Sequence, residues 1–309
     1  MPHIDLASSA FVPGVTPVRV HYRDHGSGRP ILILHGGWGY DIYPYDRQIA
    51  ALSAYHRIVA PDRTGYGGSG RLVRQETDFH HRAAAETFAV IDALGLERPI
   101  VWGHSDGAVI ALLMGLAQPG RLGGVIAEAA HFLRRKPASR GFFEAMMRDP
   151  DGLGERVTLT LAREHGDGWR DLIRTNGDAW TRIANDPSAT TEDLYGGRLG
   201  QIRVPTLLIH GARDPRTEPG ELEAMREALT RMTEASASAK ASTSVAEASE
   251  ARRPLRHVAV MPDGGHSPHS ERATADAVTR AACGFLDALS AGPPALPGLP
   301  ALPDLLRQP

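Results

Sequence analysis

The sequence predicts an α/β protein with a mostly parallel, twisted sheet that carries helices on both faces. Between residues 18 and 128, short apolar runs alternate with amphipathic stretches, which is typical of strand-helix-strand units. The same alternation resumes at residue 204, after a stretch of different character. The length of 309 residues is sufficient for one large domain with a buried core.

The first half of the chain supplies five predicted strands and two predicted helices. Residues 30–35 (PILILH) form a continuous apolar run, which is expected of a strand buried on both faces. Helices are predicted at residues 79–94, where apolar residues recur at helical spacing, and at residues 106–118, where Pro119 and Gly120 end the pattern. The other strands are predicted at residues 18–24, 57–61, 100–102 and 124–128.

Residues 131–203 break the alternation, and we expect them to form a helical insertion that acts as a lid over the sheet. This segment holds six aromatic residues among many charged ones: Phe132, Phe142, Phe143, Trp169, Trp180 and Tyr195. In a lid, Phe142, Phe143 and Trp180 are expected to line an apolar substrate chamber together with Met146 and Met147. The alternative is that these side chains only form the core of the insertion itself.

The second half returns to the first pattern and adds two segments of biased composition. Strands are predicted at residues 204–210 and 255–261, and helices at residues 218–232 and 269–289. Residues 235–250 contain 6 Ala and 5 Ser, so they bury little apolar surface and are predicted to be a solvated insertion. Residues 291–309 contain six prolines and are predicted to be an extended tail. The core would then comprise residues 1–130 and 204–290, with the lid between them.

Charge and cysteine content exclude several classes of protein. The net charge of -2 provides no excess of positive charge for nucleic acid or an anionic membrane surface. The only cysteine, Cys283, can form neither an intramolecular disulfide nor a multi-cysteine metal site. No signal-peptide pattern opens the sequence, and no apolar stretch approaches 18 residues. We therefore expect a cytoplasmic protein that acts on a small molecule.

The sharpest local signal is a G-x-S-x-G pentapeptide at residues 103–107. It stands between a predicted strand and a predicted helix, which is the context of a nucleophile elbow. Its glycines allow a tight turn that exposes the Ser105 hydroxyl beyond the sheet and directs the helix N-terminus toward developing negative charge. Taken alone, the pentapeptide is equally compatible with an ordinary strand-to-helix turn.

A serine nucleophile needs a base and a group that orients the base. Asp214 and His266 each follow the end of a predicted parallel strand, so both belong to the sheet edge at which ligands bind in open α/β folds. The order Ser105, Asp214, His266 is the one that the nucleophile elbow usually accompanies. Glu128, at the end of the fifth predicted strand, is the alternative acid because a carboxylate there can also reach the histidine.

These motifs together resemble the α/β-hydrolase family over about residues 18–289. They are the loop at residues 35–39 (HGGWG), the turn at residues 62–69 (DRTGYGGS), the elbow, and the loops of Asp214 and His266, in that order. The 52 residues between Asp214 and His266 exceed the spacing usual in the family, and the Ala/Ser-rich segment accounts for much of the excess. The resemblance implies an α/β-hydrolase fold in its serine hydrolase branch.

The loop after the second predicted strand is expected to approach the substrate closely. Trp38 and Asp106 are the expected backbone N–H donors of an oxyanion hole, and Gly37 is expected beside the substrate. His35 is expected to hold the loop by hydrogen bonds rather than to take part in catalysis. The Asp106 carboxylate either interacts with the helix dipole and points away from the pocket, or binds a cationic group such as a substrate amine.

No metal and no cofactor are implied by the sequence. Residues 65–70 fit G-x-G-x-x-G, but no helix pattern opens at the third glycine, so a dinucleotide site is excluded. The remaining histidines, including His80, His81, His131 and His269, lack the spacing of metal ligands and are expected to be solvated or core residues.

The resemblance favours a serine hydrolase that cleaves an ester, amide or lactone through an acyl-enzyme. The elbow G-H-S-D-G resembles that of amino-acid-ester hydrolases, and H-G-G-x-G resembles the oxyanion loop of proline iminopeptidases, which place a tryptophan after the serine where this chain has Asp106. Serine as nucleophile argues against the haloalkane dehalogenases and epoxide hydrolases of this fold, which use a carboxylate. The alternatives are a carbon–carbon bond hydrolase, a cofactor-free perhydrolase and a non-catalytic small-molecule receptor.

Overall fold

A computed structural model describes residues 2–230 and 255–290 of the chain. The solvated insertion predicted at residues 235–250 and the tail predicted at residues 291–309 lie outside the described residues and stay predictions.

Eight strands of the described part form a single sheet. They are β1 His3–Leu6, β2 Val18–His25, β3 Arg29–Leu34, β4 His56–Pro61, β5 Ile100–His104, β6 Gly124–Glu128, β7 Thr206–Gly211 and β8 Arg256–Met261. Their order in the sheet is β1-β2-β4-β3-β5-β6-β7-β8. The pairs β1–β2 and β2–β4 are antiparallel, whereas the six strands from β4 to β8 in this order are parallel.

Helices cover both faces of the sheet. They are α1 Asp46–Leu52, α2 Phe79–Ala93, α3 Asp106–Ala117, α4 Arg140–Arg148, α5 Glu155–His165, α6 Trp169–Ala184, α7 Glu221–Thr230 and α8 Ala275–Ser290. Leu32 and Leu34 of β3 pack with α2, α3 and α7 on one face, whereas Ile31 and Ile33 pack with α1 and α8 on the other. Successive side chains of a strand point to opposite faces, so a strand buried on both faces is apolar throughout.

The predicted α/β fold is confirmed, and the differences from the predicted elements have local causes. Strand β1 was not predicted because three of its four residues are at least partly exposed and its sequence, HIDL, has no apolar run. Helix α1 has only seven residues and follows the glycine-rich loop. The last helix begins at Ala275 rather than at residue 269, because hydrogen-bonded turns around Ser267 and Glu271 occupy the intervening residues.

Helices α4, α5 and α6 lie between β6 and β7 and have a small core of their own. Its buried members are Ile42, Phe143, Met146, Leu161, Trp169, Ile173 and Trp180. Met146 is fully buried in this cluster and is not among the residues that line the cavity described below, which fits the alternative that it forms the core of the insertion itself. The division of the chain into a core and a lid at residues 131–203 stays a prediction. Among residues 2–230 and 255–290, no helix has both the length and the apolar character needed to cross a bilayer.

Candidate active site

Ser105 occupies a strained turn between β5 and α3. Its backbone adopts φ 54° and ψ -119°, a region that residues other than glycine rarely enter. The flanking glycines are required by close approach of the backbone. A Cβ atom on Gly103 would lie 2.0 Å from the carbonyl oxygen of Gly107, and one on Gly107 would lie 2.1 Å from that of Leu34. The pentapeptide is therefore an elbow in this structure rather than an ordinary turn.

The structure brings Ser105, His266 and Asp214 into one chain of hydrogen bonds. His266 Nε2 lies 3.0 Å from Ser105 Oγ, and His266 Nδ1 lies 2.9 and 3.0 Å from the two carboxylate oxygens of Asp214. With Nδ1–H donating to Asp214, Nε2 is left to accept the proton of the serine hydroxyl. Each residue follows the end of a parallel strand, which explains why residues so far apart in sequence meet.

Asp214 is suited to orient an imidazole because it stays ionised. Burial would raise the pKa of its carboxyl group, but the charge and hydrogen bond of His266 and the backbone N–H of Arg216 hold that pKa well below its usual value. The Arg216 N–H donates to Asp214 Oδ1 over 2.8 Å.

Glu128, the alternative acid, has a different partner. Its Oε1 accepts hydrogen bonds of 2.8 Å from both the backbone N–H and the Nδ1 of His269, and Trp102 donates to its other oxygen. Both Glu128 and His269 are fully buried. Glu128 therefore belongs to a polar network in the core, and His269 is a core histidine as expected.

The loop after β3 lies directly beside the elbow. A Cβ atom on Gly36 would lie 3.2 Å from Ser105 Cβ, so the backbone approaches the serine closely. His35 Nδ1 bonds the Gly36 carbonyl over 2.8 Å and Nε2 accepts from Arg63 N–H, which is the loop-holding role expected of it. In the described part of the chain, the N–H groups of Trp38 and Asp106 have no acceptor, and neither has that of Gly37. Gly37 therefore joins the two predicted oxyanion donors as a candidate.

The Asp106 carboxylate lies in the first turn of α3, as one of the two expectations has it, but it lines the cavity at Ser105 rather than pointing away. It is buried, and its partners are protein groups: Trp180 Nε1 at 3.0 Å, Asn176 Nδ2 at 3.1 Å and His80 Nε2 at 3.2 Å. Burial would raise the pKa of this carboxyl group, but His80, Arg63 and Asn176 together outweigh that effect and the pKa is lowered. Because the protein itself supplies three donors, the site gives no support to the expectation that Asp106 binds a substrate amine, which stays a prediction.

A cavity of about 40 Å³ opens on Ser105 and His266. Phe142, Phe143 and Trp180 line it as predicted, together with Gly37, Trp38 and Asp106. Six further lining residues were not predicted as site residues: Gly36, Tyr43, His104, His131, Asn176 and Arg216.

The positions of two of these residues, shortly after strand ends, mark them as site candidates in the sequence. His131 comes three residues after the end of β6, and its ring stacks on that of His266 with centroids 5.7 Å apart. Burial holds the pKa of His131 well below its usual value. Arg216 comes two residues after Asp214. Residues that follow strand ends at this edge of the sheet are site candidates in general, and this rule points to both.

Two residues at the C-terminal end of α5 form hydrogen bonds with the loop that follows β3. Glu164 accepts hydrogen bonds from the backbone N–H groups of Tyr40 at 2.7 Å and Asp41 at 3.0 Å. His165 Nε2 bonds the Trp38 carbonyl over 3.0 Å. Burial raises the pKa of Glu164 to about 7.

In the described ranges, no three His, Cys, Asp or Glu side chains are grouped so that they could hold a metal ion.

The sheet order and the elbow at the end of β5 define the class of protein: an α/β enzyme of hydrolase type. The chain belongs to the alpha/beta hydrolase family, whose pattern it matches over residues 31–281. The predicted family and enzyme class are thereby confirmed.

Its relatives act on different bonds. The chain is 28% identical over 246 residues to a 2-hydroxy-6-oxononadienedioate/2-hydroxy-6-oxononatrienedioate hydrolase of Paraburkholderia phymatum, covering 70% of this chain and 83% of that protein. It is 35% identical over 232 residues to the 2-heptyl-3-hydroxy-4-quinolone dioxygenase AqdC2 of Rhodococcus erythropolis, covering 65% and 78%. The structure of a thermophilic esterase from Thermogutta terrifontis is similar in fold, with a TM-score of 0.63 and 20% identity over 94% of this chain and 99% of that one.

Proposed function

We propose that this protein is a serine hydrolase that cleaves a small ester, amide or lactone through an acyl-enzyme intermediate. The observation that carries the proposal is the hydrogen-bond chain from Asp214 through His266 to Ser105, with distances of 2.9 to 3.0 Å. A receptor that only binds a small molecule has no need of a base held against a strained serine, so we favour an enzyme.

Acylation begins when Ser105 Oγ attacks the carbonyl carbon of the substrate and His266 Nε2 takes the hydroxyl proton. The ionised Asp214 keeps the imidazole in the required tautomer and stabilises the imidazolium. The N–H of Asp106, together with that of Trp38 or Gly37, stabilises the oxyanion of the tetrahedral intermediate. When this intermediate collapses, the leaving alcohol or amine receives the proton from His266, and the acyl group stays on Ser105.

Deacylation repeats these steps with water as the nucleophile. His266 Nε2 accepts a proton from the water as its oxygen attacks the acyl carbon, and returns that proton to Ser105 Oγ when the acid is released. Every proton transfer uses the same imidazole nitrogen, so the residues of this chain are sufficient for the whole cycle.

The size of the cavity favours a small substrate. Its volume of about 40 Å³ is enclosed by aromatic side chains of α4 and α6, namely Phe142, Phe143 and Trp180. Pockets for drug-sized ligands are several times larger, roughly 300 to 1,000 Å³. We infer that these helices act as a lid, and that without their movement only a short acyl group fits against Ser105.

Cleavage of a carbon–carbon bond is the second candidate function. It is favoured by the similarity to the 2-hydroxy-6-oxononadienedioate hydrolase, which covers 70% of this chain. The same serine, base and oxyanion donors serve such a reaction, since the bond that breaks is again attached to a carbonyl carbon.

Labelling with a fluorophosphonate probe, combined with a substrate panel, tests the proposal. We expect the intact protein to gain one adduct, which Ser105→Ala abolishes. Ser188→Ala is the matched control, because Ser188 is exposed and its side chain bonds only Asp186. Ser105→Ala should also lower kcat for any accepted ester by at least ~10³.

The panel contains esters, amides and lactones of graded acyl size and a 2-hydroxy-6-oxo-dienoate, whose cleavage is followed by its absorbance. Labelling at Ser105 with turnover of only the dienoate would establish the second candidate. Absence of labelling in the folded protein would refute both.

A further inference from the structure

A guanidinium lines the same cavity as the buried Asp106 carboxylate. Arg216 follows Asp214 and Pro215 in the loop after β7, and its side chain shares the cavity wall with Ser105 and His266. Its Cζ lies 3.0 Å from the centroid of the Phe142 ring. The cavity thus has a cationic group within reach of the reacting atoms.

This guanidinium has no counter-ion in the described part of the chain. Asp214, the nearest carboxylate in sequence, is bonded to His266 and to the backbone N–H of Arg216, not to its side chain. Two other buried or partly buried cations are paired, Lys136 with Glu221 and Arg23 with Asp62, whereas Arg63 and Arg256 donate to backbone carbonyl oxygens. Within the described residues, the Arg216 side chain has neither kind of partner. Partial burial of Arg216 disfavours its charge and lowers its pKa, while Tyr43 and Asp214 act in the opposite direction. An unpaired, partly desolvated guanidinium is costly unless a ligand supplies the missing anion.

The guanidinium of Arg216 lies over the ring of Phe142. The N–H donors of a guanidinium lie in its plane, at the edges of the group. This arrangement matches a carboxylate, which accepts two parallel N–H bonds from one edge of an arginine. The remaining charge in the cavity wall, that of Asp106, is already bonded by Trp180, Asn176 and His80.

We propose that Arg216 is a specificity-determining residue that binds a carboxylate of the substrate. The preferred substrates are then small esters, amides or lactones that carry one free carboxylate besides the bond to be cleaved. This inference rests on the proposed function, because it assumes that substrate occupies the cavity at Ser105.

Two matched pairs of esters test it, one for each side of the scissile bond. On the acyl side, 4-nitrophenyl hydrogen glutarate is compared with 4-nitrophenyl pentanoate. On the alcohol side, 4-acetoxybenzoate is compared with 4-acetoxybenzamide. We expect the carboxylate member of at least one pair to have a kcat/KM at least ~10-fold above that of its neutral partner, on the scale of one charge-assisted hydrogen bond.

Arg216→Gln should remove this preference, because KM should rise at least ~10-fold more for the carboxylate member than for its neutral partner. Arg216→Lys should keep part of the preference, since it keeps the charge but loses the paired donors. Arg213→Gln is the control on the same loop, because Arg213 is exposed and paired with Asp263. Equal effects of Arg216→Gln on both members, or no preference in either pair, would overturn the proposal.

A binding experiment separates failure of this inference from failure of the proposed function. If the neutral esters are hydrolysed in a Ser105-dependent way without a carboxylate preference, only the inference fails. If no ester is hydrolysed, the proposed function fails, and calorimetry with glutarate and benzoate on Ser105→Ala still tests Arg216. We then expect binding that Arg216→Gln weakens at least ~10-fold. No binding, or equal binding with and without Arg216→Gln, would overturn the inference.

Discussion

The indole N–H of Trp180 donates a 3.0 Å hydrogen bond to the carboxylate of Asp106, the residue directly after Ser105. This bond ties α6 to the first turn of α3. Asn176, one turn earlier on α6, donates to the other oxygen of the same carboxylate. A negative charge beside an oxyanion donor would oppose catalysis. These donors and His80 disperse that charge, so the carboxylate serves as an anchor for α6.

Asp106→Asn tests this anchor. The amide cannot accept from Trp180, Asn176 and His80 as the carboxylate does, so we expect a loss of ~1–3 kcal/mol in the free energy of unfolding. Displacement of α6 should also lower kcat/KM for aminoacyl and neutral esters alike. Urea unfolding and steady-state kinetics measure the two effects. Asp178→Asn, at an exposed ion pair on the same helix, is the control. A loss confined to aminoacyl esters would support the amine-binding role.

The sheet could be predicted from the sequence because its strands are buried on both faces. The run from Ile31 to Leu34 is apolar at every position for that reason, and its neighbours in the sheet share the pattern. Strand β1 at His3–Leu6 lies at the sheet edge with only Leu6 buried, so no comparable pattern marks it. The parts of the fold that were missed are those whose stability comes from pairing rather than from burial.

Some residues of the candidate site could be predicted from the sequence and others could not. Ser105 was predicted from the G-x-S-x-G pentapeptide between a strand and a helix, and Asp214 and His266 because each lies shortly after the end of a parallel strand at the same edge of the sheet. Asn176 and Trp180 lie on α6, far along the chain from any strand end. Which face of α6 meets the elbow depends on how the helices between β6 and β7 pack, and an amphipathic pattern does not specify the partner.

Neutralising Asp214 should mainly lower activity, whereas neutralising Glu128 should mainly lower stability. Asp214→Asn should lower kcat by ~10³–10⁴ with little effect on stability, because the amide holds the wrong tautomer of His266. Glu128→Gln should instead destabilise the fold by ~1–3 kcal/mol through its lost bonds to His269, leaving kcat of the folded protein within a few-fold. Circular dichroism and urea unfolding measure the folded fraction of each variant, to which kcat is normalised. The reverse ranking would transfer the orienting role to Glu128.

Gly37→Ala should disturb the oxyanion loop by steric contact. A Cβ atom there would lie 2.8 Å from both Asn176 Oδ1 and Asp106 Oδ2, and both side chains are buried and hydrogen-bonded. We expect kcat to fall ~10- to 10²-fold with a smaller change in KM, as for weakened oxyanion stabilisation. Gly141→Ala in α4 is the control, since a Cβ atom there has open space. Unchanged kcat in Gly37→Ala would show that the loop accommodates the added methyl group without weakening oxyanion stabilisation.

Glu164 should make the stability of the fold depend on pH. Its carboxyl accepts the N–H groups of Tyr40 and Asp41, and burial raises its pKa from 4.5 to about 7. The folded state then binds this proton more tightly than the unfolded state does. The stabilisation is fully present below about pH 4.5 and is lost as pH rises through about 7. The full difference is on the order of 3 kcal/mol.

Glu164→Gln removes this titration but keeps a side-chain carbonyl oxygen as an acceptor for the loop. Urea unfolding of the native chain and Glu164→Gln from pH 5 to pH 8 should show the native chain losing stability relative to the variant as pH rises, with most of the change between pH 5 and pH 7. Other groups near this site, including Asp41, Asp62, Arg23 and His165, are common to both proteins, so their titration largely cancels in the difference. Glu155→Gln, at the exposed start of α5, should instead follow the native chain at every pH. A constant difference between the native chain and Glu164→Gln across this range would mean that Glu164 holds the loop as a carboxylate throughout.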